Sequence, residues 1–257
     1  FKIIDMVKDT TGLPVMVSPG VVPREVLQEF PAHGVDWYAL YQETHNAMLY
    51  RKLRLGQSFE ERNNRRIEAH RRGMLVEDGI LLSVGETISD RADAFMAMKE
   101  TGVHQARVMS LVPQPQTPLA GMARPDSIDE RLCIAVMRLI MPDRLIPASL
   151  DVDGIKGLQM RLQAGANVVT SIIPPDSKLA GVSQSTLDIE QGLRTVPEVK
   201  KILAETGLQA AGLPEYRDWI TTRKEKMAEE DYAGEYRDRR RTAPGFGGCL
   251  SGSPGRF

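Results

Sequence analysis

Apolar and polar positions along the chain repeat one unit: an amphipathic stretch, a glycine, then a short β-rich run. The runs are Gly12-Leu-Pro-Val-Met-Val-Ser18, Gly34-Val-Asp-Trp-Tyr-Ala-Leu40, Gly73-Met-Leu-Val-Glu-Asp-Gly79, Gly102-Val-His-Gln-Ala-Arg-Val108 and Gly165-Ala-Asn-Val-Val-Thr170. A helix ends best on a left-handed residue, which glycine occupies without a Cβ penalty, and a strand can follow at once. A further strand, Arg144-Leu-Ile-Pro-Ala-Ser149, follows the helix stop at Pro142. Six strands are thus predicted, beginning near residues 13, 37, 75, 106, 144 and 167. The intervening helices carry start signals. Ser58-Phe-Glu-Glu61 and Ser127-Ile-Asp-Glu130 fit the capping box, and Thr195-Val-Pro-Glu198 opens a later helix.

Strict alternation of helix and strand predicts an α/β fold with a parallel sheet. The spacing matches the ~30 residues per unit of a (β/α)8 TIM-type barrel, of which about six units are expected within residues 1–222. No Gly-x-Gly-x-x-Gly loop follows any strand, which counts against a doubly wound sheet. Polar residues gather at the strand C-terminal ends, where barrels place their active sites: Ser18, Gln42, Glu43, Gln114, Ser149, Asp151, Thr170 and Ser171. Residues 1–12 read as the second half of an amphipathic helix, with Ile3, Ile4 and Val7 on one face and no signal-peptide layout. The expectation is a chain that begins inside a domain, with two earlier strands not included. Residues 223–257 are dense in charge from Lys224 to Arg241 and then rich in Gly, Pro and Ser, which predicts a solvated helix followed by a disordered tail.

Composition narrows the functional classes. The 257 residues carry 33 Lys+Arg against 34 Asp+Glu, a formal net charge of −1. That balance argues against nucleic acid or a polybasic membrane surface as partner. No apolar run reaches the ~18 residues that span a bilayer. The two cysteines, Cys133 and Cys249, cannot build a disulfide framework, which fits a cytoplasmic protein. Neither can they build an iron–sulfur cluster. The four histidines (His33, His45, His70, His104) show no metal-ligand spacing, so no metal ligand is predicted.

Three segments carry candidate chemistry. Glu43 leaves one strand and Arg62 lies one turn inside the following helix; such a pair suits an α-amino acid, and equally an ordinary strand-end ion pair. Glu77-Asp-Gly-Ile-Leu-Leu-Ser-Val-Gly-Glu-Thr87 runs a strand into a tight corner at Gly85, with Thr87 or Ser89 as helix cap. Arg107, Ser149, Asp151, Thr170 and Ser171 stand at or near the ends of three successive strands. They offer a cation, an anion and hydroxyls to a zwitterionic amine, or else form a buried Arg–Asp pair that positions loops. His45 reads as a solvated loop histidine, and Arg65, Arg66, Arg71 and Arg72 as a solvated basic face. Cys133 reads as a core thiol.

These segments resemble the radical S-adenosylmethionine enzymes of the biotin-synthase-like group, through Tyr41-Gln-Glu-Thr44, Ser58-Phe-Glu-Glu-Arg62, Gly79-Ile80 and Gly85-Glu-Thr87. Within that group, Gly12-Leu-Pro-Val-Met-Val-Ser-Pro-Gly20, Leu49-Tyr-Arg-Lys-Leu-Arg54, Arg144-Leu-Ile-Pro-Ala-Ser-Leu-Asp151 and Pro174-Pro-Asp-Ser177 resemble the methylornithine-synthase branch, from about residue 2 to about 210. The Arg144–Asp151 run is the most family-specific piece. The resemblance implies an isomerase that converts L-lysine into (3R)-3-methyl-D-ornithine, the first step of pyrrolysine biosynthesis. It implies S-adenosyl-L-methionine and a [4Fe-4S] cluster as cofactors, with an external electron donor. Carried over, Glu43 and Arg62 would hold the methionine part of S-adenosylmethionine, and Gln114 would line the adenosyl pocket. Arg107 would clamp the substrate carboxylate, Ser149 and Asp151 would take ammonium groups, and Thr170 and Ser171 would complete the wall. The family's Cys-x-x-x-Cys-x-x-Cys cluster motif is absent from this sequence, so this chain alone is expected to be catalytically silent. Two alternatives stay open: another enzyme of the group, such as a hydrogenase-maturase-like barrel, and a non-catalytic remnant that binds an amino acid.

Overall fold

Each predicted strand forms where a stop ends the helix before it. In the computed structural model, which describes residues 1–123, 126–179 and 187–229, the strands are β1 (Val15–Val17), β2 (Val35–Ala39), β3 (Leu75–Leu82), β4 (Gln105–Ser110), β5 (Pro147–Ser149) and β6 (Val168–Thr170). The helices are α1 (Lys2–Thr11), α2 (Arg24–Glu29), α3 (Ala47–Leu53), α4 (Phe59–Arg71), α5 (Ile88–Glu100) and α6 (Ser127–Ile140). They continue as α7 (Gly154–Gln163), α8 (Leu187–Glu190), α9 (Val196–Glu205) and α10 (Leu213–Glu229). Gly12 closes α1 at φ 61°, its amide donating to the Lys8 carbonyl, and β1 begins three residues later.

The strands β1 to β4 pair in chain order, all parallel, and β5 pairs with β6. A parallel bridge between Gln105 and Leu145 joins the two groups, so the order runs unbroken from β1 to β6. Helices packed outside such a series give the TIM-type progression. Here it forms an open arc. The helices α5, α6 and α7 seal the outside through Phe95, Met98, Ile134, Met137 and Leu158, all buried against Val76, Val108 and Ala148 of the strands.

Strand β3 is buried along almost its whole length, yet it carries two adjacent acids, Glu77 and Asp78. Side chains alternate across a strand, so the two face opposite sides of the sheet. Asp78 turns toward α4, where Arg66 Nη2 lies 3.0 Å from its carboxylate. This corrects the expected solvated basic face: Arg66 is fully buried and Arg65 nearly so. Arg66 is both ion-paired and hydrogen-bonded there, since it also donates to the Leu40 carbonyl at 2.9 Å. The histidine beside it departs from expectation for the same reason. His45 is not a solvated loop residue, since its Nε2 sits 3.0 Å from Asp78 and its side chain is 9% exposed.

The caps divide along similar lines. Ser58 caps α4 by accepting from the Glu61 amide, and Thr87 with Asp90 forms a complete capping box on α5. The box expected at Ser127–Glu130 does not form; Asp126 is the cap, accepting from the Ile128 amide. Glu130 is instead buried against Arg161 of α7, at 2.6 and 3.1 Å, and accepts from Ser110 at 2.6 Å. A buried arginine fork outcompetes an exposed helix end for the same carboxylate.

Helix α10 crosses the N-terminal ends of the strands. Trp219 stacks on Trp37 at 5.9 Å, Lys224 pairs with Asp36 at 2.8 Å and Arg223 with Asp143 at 2.9 Å. It runs through residue 222 to Glu229, and the tail expected beyond it, with Cys249, lies outside the described residues. Among the described residues no helix is long and apolar enough to cross a membrane.

Candidate active site

At the C-terminal ends of the strands, the chain builds two adjoining groups of polar side chains. The first sits at the exit of β2. Glu43 takes a left-handed conformation, φ 66°, which for a residue with a Cβ costs about 1–2 kcal/mol. Two backbone hydrogen bonds to β3 hold it there: its amide donates to Gly79 and its carbonyl accepts from Leu81, both at 2.9 Å. The Asp78 carboxylate supports the same turn by accepting from the Gln42 amide at 2.8 Å.

The Glu43 carboxylate pairs with Arg54 at the end of α3. Burial pushes this carboxyl up, with Arg54 pulling against it. Arg62, buried on α4, donates through Nε to the Tyr41 carbonyl at 2.6 Å and through Nη1 to Gln57 at 3.2 Å. Burial and the neighbouring Arg54 lower its pKa. Arg54 and Arg62 line a cleft of about 560 Å³ walled by Pro19, Gly20, Gly56 and Gln57. Glu43 and Arg62 therefore share one corner, with Arg54 as the carboxylate's direct partner. Gln114 is not brought to that corner by any bond; it stands exposed on the loop after β4, its amide donating to Val112 at 3.4 Å.

The second group joins β3, β4, β5 and β6. Arg107 donates through Nε to Glu77 at 2.7 Å, lies 5.6 Å over the Tyr41 ring, and reaches Thr170 Oγ1 through Nη1 at 3.5 Å. Gly79 leaves room for it: a Cβ there would fall 3.0 Å from Arg107 Cβ and 3.4 Å from Tyr41. Ser171, left-handed at φ 65°, and Ser149 both donate to Asp151 Oδ2, at 2.5 and 3.2 Å. Asp151 Oδ1 lies 3.4 Å from Arg194. The five residues predicted from the strand ends thus converge, but Arg107 and Asp151 do not pair with each other. Glu77 is the partner of one and Arg194 of the other.

Glu77, Tyr41, Arg194 and Asp188 have no assigned role in the sequence reading. Glu77 left a signal, because an acid in the centre of a parallel strand must meet a buried cation. Its Oε2 is buried without a hydrogen-bond partner among the described residues. Arg194 left none; it lies in an unpatterned connection and is fully buried.

No family model matches the chain. Against curated proteins it is 44% identical over 210 residues to a 3-methylornithine synthase of Methanosarcina barkeri, covering 82% of this chain and 60% of the relative. It is 44% identical over 215 residues to that of Methanosarcina acetivorans, covering 84% and 61%. The [FeFe] hydrogenase maturase subunit HydE of Thermotoga maritima is 34% identical over 172 residues, 65% of this chain and 49% of that protein. A crystal structure of methylornithine synthase superposes with a TM-score of 0.79 at 42% identity, over 84% of this chain and 64% of that one. The hydrogenase maturase HydG of Carboxydothermus hydrogenoformans shares the fold, with a TM-score of 0.65 at 16% identity. The chain spans about three-fifths of the length of the curated methylornithine synthases it matches.

Proposed function

We propose that this relative of the 3-methylornithine synthases carries the amino-acid cavity of a radical S-adenosylmethionine isomerase, one that converts L-lysine into (3R)-3-methyl-D-ornithine at the start of pyrrolysine biosynthesis. The observation that carries this reading is the convergence of Arg107, Ser149, Asp151, Thr170 and Ser171 in a chain 44% identical to those synthases. Glu77 occupies Arg107 Nε, and the long 3.5 Å contact of Nη1 with Thr170 is weak enough for a substrate carboxylate to take over on the outer side of the guanidinium. Thr170 and Ser171 are neighbours in the chain, one reached by Arg107 and the other bonded to Asp151. That spacing suits an α-carboxylate on Arg107 with its α-ammonium on Asp151.

The adjoining corner fits S-adenosylmethionine by its donor set. Glu43 would take the ammonium of the methionine part and Arg62, with Arg54 beside it, the carboxylate. S-adenosylmethionine bound at a reduced cluster supplies the radical that starts such an isomerisation, and an external donor supplies the electron. The described residues do not fit the cluster itself. No three His, Cys, Asp or Glu among them are grouped to hold a metal, and Cys133 is buried with its thiol pushed up to about 11 by that burial.

Calorimetric titration of the chain is expected to show saturable binding of L-lysine and of methylornithine. Pentane-1,5-diamine, which keeps both amines of lysine and lacks the carboxylate, should not bind. Equal binding of the diamine, or no binding of either amino acid, rejects the proposed cavity. Two cysteines fall short of the three thiolates a cluster of this type uses. Anaerobic reconstitution of this chain with iron and sulfide should accordingly leave its electron paramagnetic resonance spectrum blank. A signal that shifts on adding S-adenosylmethionine would overturn that prediction.

A further inference from the structure

Arg194 lies outside every strand and is nonetheless fully buried, next to Asp151 of the second polar group. Its guanidinium grips Asp188 as a fork, Nε to Oδ2 at 2.9 Å and Nη2 to Oδ1 at 3.1 Å. Toward Asp151 it makes one longer contact, Nη1 to Oδ1 at 3.4 Å. The connection that carries both residues is fixed in place. The Leu193 amide donates to the Asp188 carbonyl at 2.8 Å, and the Ile173 amide, at the exit of β6, donates to the Arg194 carbonyl at 3.1 Å. Gly154 at the start of α7 makes room for the arrangement, since a Cβ there would fall 2.7 Å from Asp188 Oδ2.

One guanidinium divided between two carboxylates leaves the trio with an excess negative charge. The unequal division settles where that excess lies. Asp188 takes the fork, so Asp151 is left with the single longer contact to Arg194, and its Oδ2 is held by Ser149 and Ser171. A partly buried carboxylate without a full counterion favours an incoming cation. We infer that Asp188 tunes the cavity for amino acids by holding Arg194 back from Asp151, which leaves the Asp151 carboxylate free to take the substrate's α-ammonium. Asp188 and Arg194 are positioning residues in this scheme; neither touches the substrate. The inference rests on the function proposed above, because it requires an ammonium at Asp151.

The test compares L-lysine with 6-aminohexanoic acid, which is lysine without its α-ammonium. Calorimetry on the wild-type chain should show a preference for lysine. In Asp188→Asn the fork weakens and Arg194 becomes the counterion of Asp151. The preference for lysine should then fall about tenfold, the size of one charge-assisted hydrogen bond, while 6-aminohexanoate binds as before. In Asp188→Asn with Arg194→Met the competing cation is gone and the preference should return to at least the wild-type value. This double variant carries the test by itself if the single variant does not fold. An equal loss of both ligands in Asp188→Asn, an unchanged preference, or a double variant without preference overturns the tuning role alone. A wild-type chain that binds no lysine overturns the proposed function and the tuning role with it.

Discussion

Replacing Arg107 with lysine is expected to weaken binding of L-lysine and methylornithine by about 2 kcal/mol, roughly 30-fold, while the chain stays folded. Lysine keeps the positive charge that Glu77 requires, so the fully buried carboxylate retains a partner. It cannot keep the geometry. The Arg107 guanidinium serves Glu77 with Nε and reaches Thr170 with Nη1, whereas an ammonium is one point charge that must choose. Glu77, at 2.7 Å and out of water, wins that choice. Arg107→Ala differs in kind, because it strands Glu77 and should cost about 3–5 kcal/mol in folding. Calorimetry together with thermal melting separates the two effects. A lysine variant that binds as tightly as the wild type removes Arg107 from the clamp.

Asp78→Asn should cost about 3–5 kcal/mol of stability, because it leaves Arg66 fully buried without its counterion. Since a kilocalorie moves the melting point of a domain this size by roughly 2–4 °C, a drop of about 6–20 °C is expected. The loss also has a pH signature. Burial by itself would raise the Asp78 carboxyl, but Arg66, His45 and the Gln42 amide together hold it down to about 2. An acid whose folded value lies below its unfolded value stabilises the fold above the unfolded value, near pH 4. That contribution disappears as pH falls through about 2. It amounts to about 2–3 kcal/mol. Melting curves between pH 5 and pH 2 should therefore fall steeply for the wild type and less steeply for Asp78→Asn. Parallel curves would assign the acid sensitivity to other groups.

What was legible in the sequence was local. The six strands follow from glycine and proline stops that act within a few residues, and the grouping of Arg107, Ser149, Asp151, Thr170 and Ser171 follows from the rule that barrels gather polar groups at strand ends. Partner choice was not legible, because it is decided between segments far apart in the chain. Arg107 and Glu77 are 30 positions apart and Arg194 and Asp151 are 43, so no spacing rule links them. The same limit explains Arg66 and Glu130. A charged residue on a helix looks solvated, or looks like a cap, until the strand or helix that supplies its buried counterion is in place.

Helix α10 bears on how such a chain comes together in time. Its Arg217 donates to the Gly12 carbonyl across 205 positions, and its Lys224 reaches Asp36 across 188. Contacts of that sequence separation form late, because the loop entropy must be paid before they give anything back. The burial of Trp37 and Leu75 therefore depends on the docking of α10, whose Ile220 and Met227 complete their cluster.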